Sequence, residues 1–340
     1  MKSALHPILR QAIKKLDIDA TSLEEAATWS EEHLEQIRKD LRGAIPKARA
    51  EGLDVVVCGS LARREATAIS DLDAVVAIHR LPSNINITRR LLQALYTAQE
   101  AQNIKNPGKT GMFGGVVSVA DIVERIGLDQ DTNLNHSRRI LFLLESESLF
   151  NPRQHDRLIR ILINRYLADY SSPKDGVPRF LLNDFMKYWR TLTIDYQAKR
   201  WEGGPADWGM RYLKLVISRK LTYVSAVVSI LLTKKAETNY FIEQFKMPAL
   251  ARIAQLHRLL DRKRLKDLKT VLEVANYFVG KLSSTKFREE AVAVQSQEQI
   301  EPGSEFAQAR NKAKKLQGAL ENIFFESRLL RDRSIRYLSF

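Results

Sequence analysis

The sequence predicts an α+β protein: a small mixed-sheet domain followed by an all-helical domain. Three observations carry that prediction. Two short runs rich in β-branched residues, Asp54-Val-Val-Val-Cys58 and Asp73-Ala-Val-Val-Ala-Ile78, stand close together early in the chain. From about Arg138 onward, apolar residues recur almost everywhere with helical period. A chain of 340 residues that is 44% hydrophobic, with only 15 Gly and 10 Pro, suits two cores better than one and excludes a linker-dominated sequence.

Taken in order, residues 1–50 read as helices packing on the sheet domain, because Leu34, Ile37, Leu41 and Ile45 form one stripe between Glu31 and Ala50. Residues 51–137 form the sheet domain. Its two strands flank a short helix over Leu61–Thr67, and a longer helix over Thr88–Gln102 follows. Met112–Val119 is a further strand, weakened by Gly111, Gly114 and Gly115. Residues 138–340 form the helical domain, with helices over Arg139–Phe150, Asp156–Tyr170, Arg179–Arg200 and Asp207–Leu232. Breaks fall at Ser171–Gly176, Gly203-Gly204-Pro205 and Glu301-Pro302-Gly303, and residues 291–305 read as a flexible linker.

A single cysteine, Cys58, excludes an internal disulfide and a thiolate zinc site, which points to a reducing, cytoplasmic setting. Basic residues interrupt the N-terminal Met1–Lys15, and no apolar run of spanning length is evident, so neither a signal peptide nor a membrane partner is expected. The net charge of +14 favours phosphate-rich partners.

The chemistry concentrates in Cys58-Gly59-Ser60-Leu-Ala-Arg63-Arg-Glu65-Ala-Thr-Ala-Ile-Ser70-Asp71-Leu72-Asp73. Gly59 lets the backbone turn sharply off a strand and approach a ligand closely, the next helix presents free amides, and Ser60 adds a hydroxyl donor. Asp71 and Asp73, two residues apart on a strand, share a face. Two carboxylates so placed repel each other unless they share divalent cations, and Mg²⁺ accepts a pair of carboxylates together with substrate phosphates.

Gly-Ser followed by Asp-x-Asp resembles the signature of the DNA polymerase β-like nucleotidyltransferase superfamily. The wider string with Ala62, Arg63, Glu65 and Ser70 is most similar to bacterial nucleotidyltransferases related to the PII-protein uridylyltransferase. A looser likeness runs through Arg138–Ser146 and Leu182-Asn183-Asp184 to Tyr188-Trp189-Arg190-Thr191. The resemblance implies transfer of a nucleoside monophosphate from a nucleoside triphosphate, with Asp71 and Asp73 holding Mg²⁺, or Mn²⁺ in its place, and Gly59, Ser60 and Arg63 meeting the nucleotide. Many members carry a third carboxylate. The nearby candidate, Asp121, follows Ser118-Val-Ala and reads instead as the first turn of a helix.

Further nucleotide-binding candidates are Lys187 and Arg190 on the long helix, interleaved with Phe185, Tyr188, Trp189 and Tyr196, and Lys214 and Ser218 on the next helix. The acceptor is a protein, as the uridylyltransferase likeness implies, or RNA, as the charge suggests. Between Ala251 and Glu290 there are ten Lys or Arg against five Asp or Glu, including Arg262, Lys263, Arg264 and Lys266. Two other readings compete. One is a nucleic-acid-binding or nucleotide-sensing module with an inactive nucleotidyltransferase fold. The other is a ribonuclease like the helical HEPN enzymes, on the R-x4-H spacing of Arg252 and His257, a match expected about once or twice by chance. These two side chains are expected on the surface of a basic helix.

Overall fold

The computed structural model describes residues 3–46, 50–82, 84, 86–107, 111–168, 176–203 and 207–338. Helices α1 (Pro7–Leu16) and α2 (Thr21–Ala44) precede β1 (Leu53–Cys58), the one-turn α3 (Gly59–Arg63), β2 (Ala74–Ile78), α4 (Asn86–Ala101), β3 (Val116–Ser118) and α5 (Val119–Val123). Then come α6 (Asn133–Leu144), β4 (Ser146–Ser148), α7 (Pro152–Leu167) and α8 (Arg179–Gly203). Helix α9 (Trp208–Lys214) continues through a π turn at Leu215–Arg219 into α10 (Lys220–Leu232). The chain ends with α11 (Thr238–Lys246), α12 (Ala249–Ala254), α13 (Arg262–Ser283), α14 (Thr285–Ala293), α15 (Glu305–Glu321), a second π turn at Asn322–Glu326, and α16 (Arg331–Leu338).

The predicted α+β class holds: a small mixed sheet lies in the first half, and helices follow. The described chain divides into two compact units, one of residues 1–4, 26–171 and 236–248, the other of residues 5–25, 172–235 and 249–340. Sequence distance misled the expected boundaries at 50/51 and 137/138. Helix α1 belongs to the helical unit, where Lys15 donates to the His257 carbonyl at 2.7 Å. Helices α6 and α7 belong to the sheet unit, and α11 joins them through Thr238 to Asn164 at 2.7 Å and Lys246 to Asp156 at 2.9 Å.

In the sheet unit the strand order is β3-β2-β1-β4, with β1 antiparallel to both β2 and β4, and β2 parallel to β3. All six residues of β1 are buried, which explains its unbroken Val run: a strand covered on both faces has no polar side to present. The stripe Leu34, Ile37, Leu41 and Ile45 packs on this sheet together with Leu91 and Leu95 of α4. Strand β4 falls inside the segment expected to be helical through Phe150. Ser146-Glu147-Ser148 has no β-branched residue; it pairs with Val56–Cys58, and Ser148 Oγ donates to Asp54 Oδ1 of β1 at 2.8 Å.

In the helical unit, Trp208–Leu232 is long and apolar enough by length and composition to cross a membrane, contrary to the expectation that no such run exists. Two thirds of its most apolar window (67%) is buried inside the protein. Residues 294–304, within the expected linker, make a turn-rich connection fastened at its start by the Gly209 amide donating to the Val294 carbonyl at 3.0 Å. The expected breaks at Ser171–Gly176 and Gly203–Pro205 fall mostly outside the described residues.

Candidate active site

Strand β1 delivers the chain to Gly59 from the middle of the sheet. Beyond the Val57–Ala74 pair, the Cys58 amide donates to the Asp73 carbonyl at 2.7 Å, locking the end of one strand to the start of the other. Gly59 has φ +72°, and a Cβ added there would lie 2.9 Å from Asp73 Oδ2. Glycine is thus required twice, by the left-handed backbone and by the carboxylate resting against it. Ser60 follows in α3, partly exposed, and α3 stops after one turn instead of the expected two, because Arg64 adopts φ +63° and closes it.

The return to Asp71 is set by a small turn. The Thr67 amide donates to Ser70 Oγ at 3.0 Å and the Ser70 amide to the Thr67 carbonyl at 2.9 Å. Asp71 then bridges to Lys105, and the Leu72 amide donates to the Lys105 carbonyl at 3.0 Å. Strand β2 begins only at Ala74, so the two aspartates precede the strand and are not within it. Alternation nevertheless holds: Leu72 and Ala74 are buried, whereas Asp71 and Asp73 are partly exposed.

Arg63, expected to meet the nucleotide, is instead engaged by acids. Its Nε donates to Glu65 at 2.8 Å and its Nη1 to Glu145, and all three side chains are at most 12% exposed. Burial opposes the guanidinium charge, but these two carboxylates outweigh it and raise its pKa further. Arg64 spans Glu31 and Glu147, at 2.7 Å each, and Arg38 also reaches Glu147. These pairs tie α3 to α2 and β4 and fix the short helix that carries Ser60. Nothing local to the motif marks Glu145 or Glu147 as its partners. Cys58 is buried, and its thiol is pushed well up by burial and then by Glu145 and Asp73, so it is no nucleophile.

Two hard, partly exposed carboxylates at positions 71 and 73, the second close against Gly59, match the donor chemistry of Mg²⁺. Among the described residues no group of three or more His, Cys, Asp or Glu gathers around a metal position. The remaining ligands would therefore have to be substrate oxygens and water. Asp121 lies in the first turn of α5, as expected, and is ion-paired with Arg125 at 3.2 Å.

Gly59, Ser60, Arg63, Asp71 and Asp73 all belong to the sheet unit. Lys187, Arg190, Lys214 and Ser218 belong to the helical unit, where Lys187 and Arg190 are exposed on α8. Lys214 closes α9, and Ser218 lies in the π turn, its carbonyl accepting from Thr222 Oγ1 at 3.3 Å. Arg252 and His257 are not on the surface but buried, at 0% and 5% exposure, with Arg252 Nε donating to Ser225 Oγ at 3.0 Å. Arg264 is likewise buried, between Asp267 and Glu326 at 3.1 and 3.2 Å, leaving Arg262, Lys263 and Lys266 as the exposed cations of that cluster. No protein-family model matches this chain, and no curated protein matches it.

Proposed function

We propose that this chain is a nucleotidyltransferase that moves a nucleoside monophosphate from a nucleoside triphosphate to a protein or RNA acceptor in the cytoplasm. The observation that carries this reading is the approach of the Asp73 carboxylate to Gly59, near enough that a Cβ there would lie 2.9 Å from Oδ2, with Ser60 next in the chain and Asp71 two residues before Asp73. In this reading the Gly59 backbone and the Ser60 hydroxyl bind phosphate oxygens, and Asp71 and Asp73 hold Mg²⁺. When bound there, the ion neutralises phosphate charge and polarises the phosphorus under attack. Arg63 acts through Glu65 and Glu145 as a positioning residue for α3. Lys187, Arg190, Lys214 and Ser218 lie in the helical unit and are not assigned to this site.

A second reading, a nucleotide-sensing module without transfer, is favoured by the ion pair of Asp121 with Arg125, which occupies the nearest candidate for a third carboxylate. The HEPN-like reading has least support, since its Arg and His are buried. The test is incubation with each α-labelled nucleoside triphosphate, Mg²⁺ and lysate, followed by separate protease and ribonuclease digestion. Asp71→Asn and Asp73→Asn should each reduce label transfer by about two orders of magnitude or more with the fold retained. Nucleotide binding with no transfer would select the sensing module, and wild-type transfer in either variant would sink the metal reading.

A further inference from the structure

The helical unit holds a pocket of about 380 Å³, within the size range of small-molecule sites. Its floor is apolar and buried, from Val224, Val227, Leu320 and Phe324. One wall is aromatic: Trp189 of α8 stacks on Tyr223 of α10, with ring centroids 5.3 Å apart and planes at 16°. Phe325 supplies a further ring at the lining and is 41% exposed.

The rim carries a polar relay. Lys220 Nζ donates to Gln317 Oε1 at 2.6 Å, and Gln317 Nε2 donates to Glu321 Oε1 at 2.8 Å. A cation, an amide and a carboxylate thus sit in line, offering donors at one end and an acceptor at the other. Both helices that supply the relay change their winding at the pocket. One π turn ends immediately before Lys220, and the other starts immediately after Glu321 and carries Phe324 and Phe325. Such turns insert an extra residue into a helix and cluster at functional sites.

From this combination we infer that the pocket binds a nucleobase, its face against the Trp189, Tyr223 and Phe325 rings and its edge against Lys220, Gln317 and Glu321. A planar ring with both donors and acceptors on its edge matches this lining, whereas a purely apolar ligand would leave the relay desolvated. Burial lowers the pKa of Lys220, so its ammonium is already partly stripped of water and gains from a carbonyl or ring-nitrogen partner. The base can come from a free nucleotide or from an unpaired position of RNA. None of Gly59, Ser60, Arg63, Asp71, Asp73, Lys187, Arg190, Lys214 or Ser218 lines this pocket, so its test does not depend on the proposed transfer chemistry.

The test is isothermal titration of the full chain with each of the four nucleoside monophosphates and, separately, with short unstructured RNA oligomers. The proteins compared are the wild type, Trp189→Leu, Lys220→Met, Gln317→Met and the double variant Asp71→Asn/Asp73→Asn. Binding should weaken by about fivefold or more in Trp189→Leu and in either relay variant, and should persist in the double aspartate variant. Preference for monophosphate or oligomer then identifies the source of the base. Gln317 is exposed, so Gln317→Met keeps the test valid if Lys220→Met fails to fold. Failure of every ligand to bind at millimolar concentration overturns the inference. So does loss of binding only in the aspartate variant.

Discussion

Replacing Gly59 by Ala strains the backbone and crowds a carboxylate, and the two costs can be separated. At φ +72° a side chain costs about 1–2 kcal/mol, whatever surrounds it. The new Cβ would also stand 2.9 Å from Asp73 Oδ2, closer than van der Waals contact allows. Asp73 can relieve this by rotating away from its preferred geometry, at roughly 0.5–1.5 kcal/mol. Gly59→Ala should therefore cost about 2–3 kcal/mol in the wild type but only about 1–2 kcal/mol in an Asp73→Ala background. Urea unfolding followed by circular dichroism on the four proteins of this cycle gives both numbers. Transfer activity should fall much further in Gly59→Ala than stability does, since the rotated carboxylate leaves its place. Equal losses in the two backgrounds, or a loss below about 0.5 kcal/mol, would refute the close approach on which the site is built.

Three other outcomes are expected. Arg63→Met should destabilise the sheet unit by roughly 3–5 kcal/mol, because Glu65 and Glu145 would keep their burial and lose their partner; Glu145→Gln in the same background should restore part of this loss in thermal unfolding. Asp54 is buried, with Oδ1 accepting from Ser148 Oγ and the Asn151 amide while Oδ2 has no partner, and burial pushes its pKa from 3.8 up to about 7. The folded state then holds a proton that the unfolded state releases, so the stabilisation is complete below pH 4 and is lost as pH rises to 7. The stability difference between wild type and Asp54→Asn should fall by up to roughly 4 kcal/mol across that window and be flat above it. If RNA is the acceptor, exchanging the exposed Arg262, Lys263 and Lys266 for Gln should flatten the salt dependence of binding by about 0.7 logarithmic slope units per lost phosphate contact; an unchanged slope makes the cluster a solvated face.

Strands β1 and β2 and the glycine turn were legible in the sequence because each is local. Their Val runs mark a strand buried on both faces, and Gly59 is the residue that a left-handed turn demands. Strand β4 was not legible, since Ser146-Glu147-Ser148 has no β-branched residue and both its holds on β1, the backbone pairing and the Ser148 hydroxyl on Asp54, involve residues far away in sequence. Arg63 shows the same limit: one partner lies two residues away, but the other lies eighty-two residues away. Arg252 and Arg264 look like surface cations to any reading that counts charge, and only tertiary neighbours such as Ser225 and Asp267 reveal that they are interior. The alternation of Asp71, Leu72 and Asp73 was readable even though the strand itself starts one residue later than expected.

The membership of α11 in the sheet unit bears on how the chain is made. Residues 236–248 complete a unit whose other parts end at 171, so a ribosome must synthesise a long stretch of the helical unit before the sheet unit is whole. Until then the face of α7 that receives α11 has no cover, and Phe241 and Phe245, both buried in the finished protein, have not yet been supplied. Domain-by-domain folding during synthesis, with the N-terminal part closing first, is thereby denied to this chain. A cut after residue 171 would remove the same cover permanently, so the sheet unit is expected to aggregate when produced as an N-terminal fragment and to behave well only within the intact polypeptide.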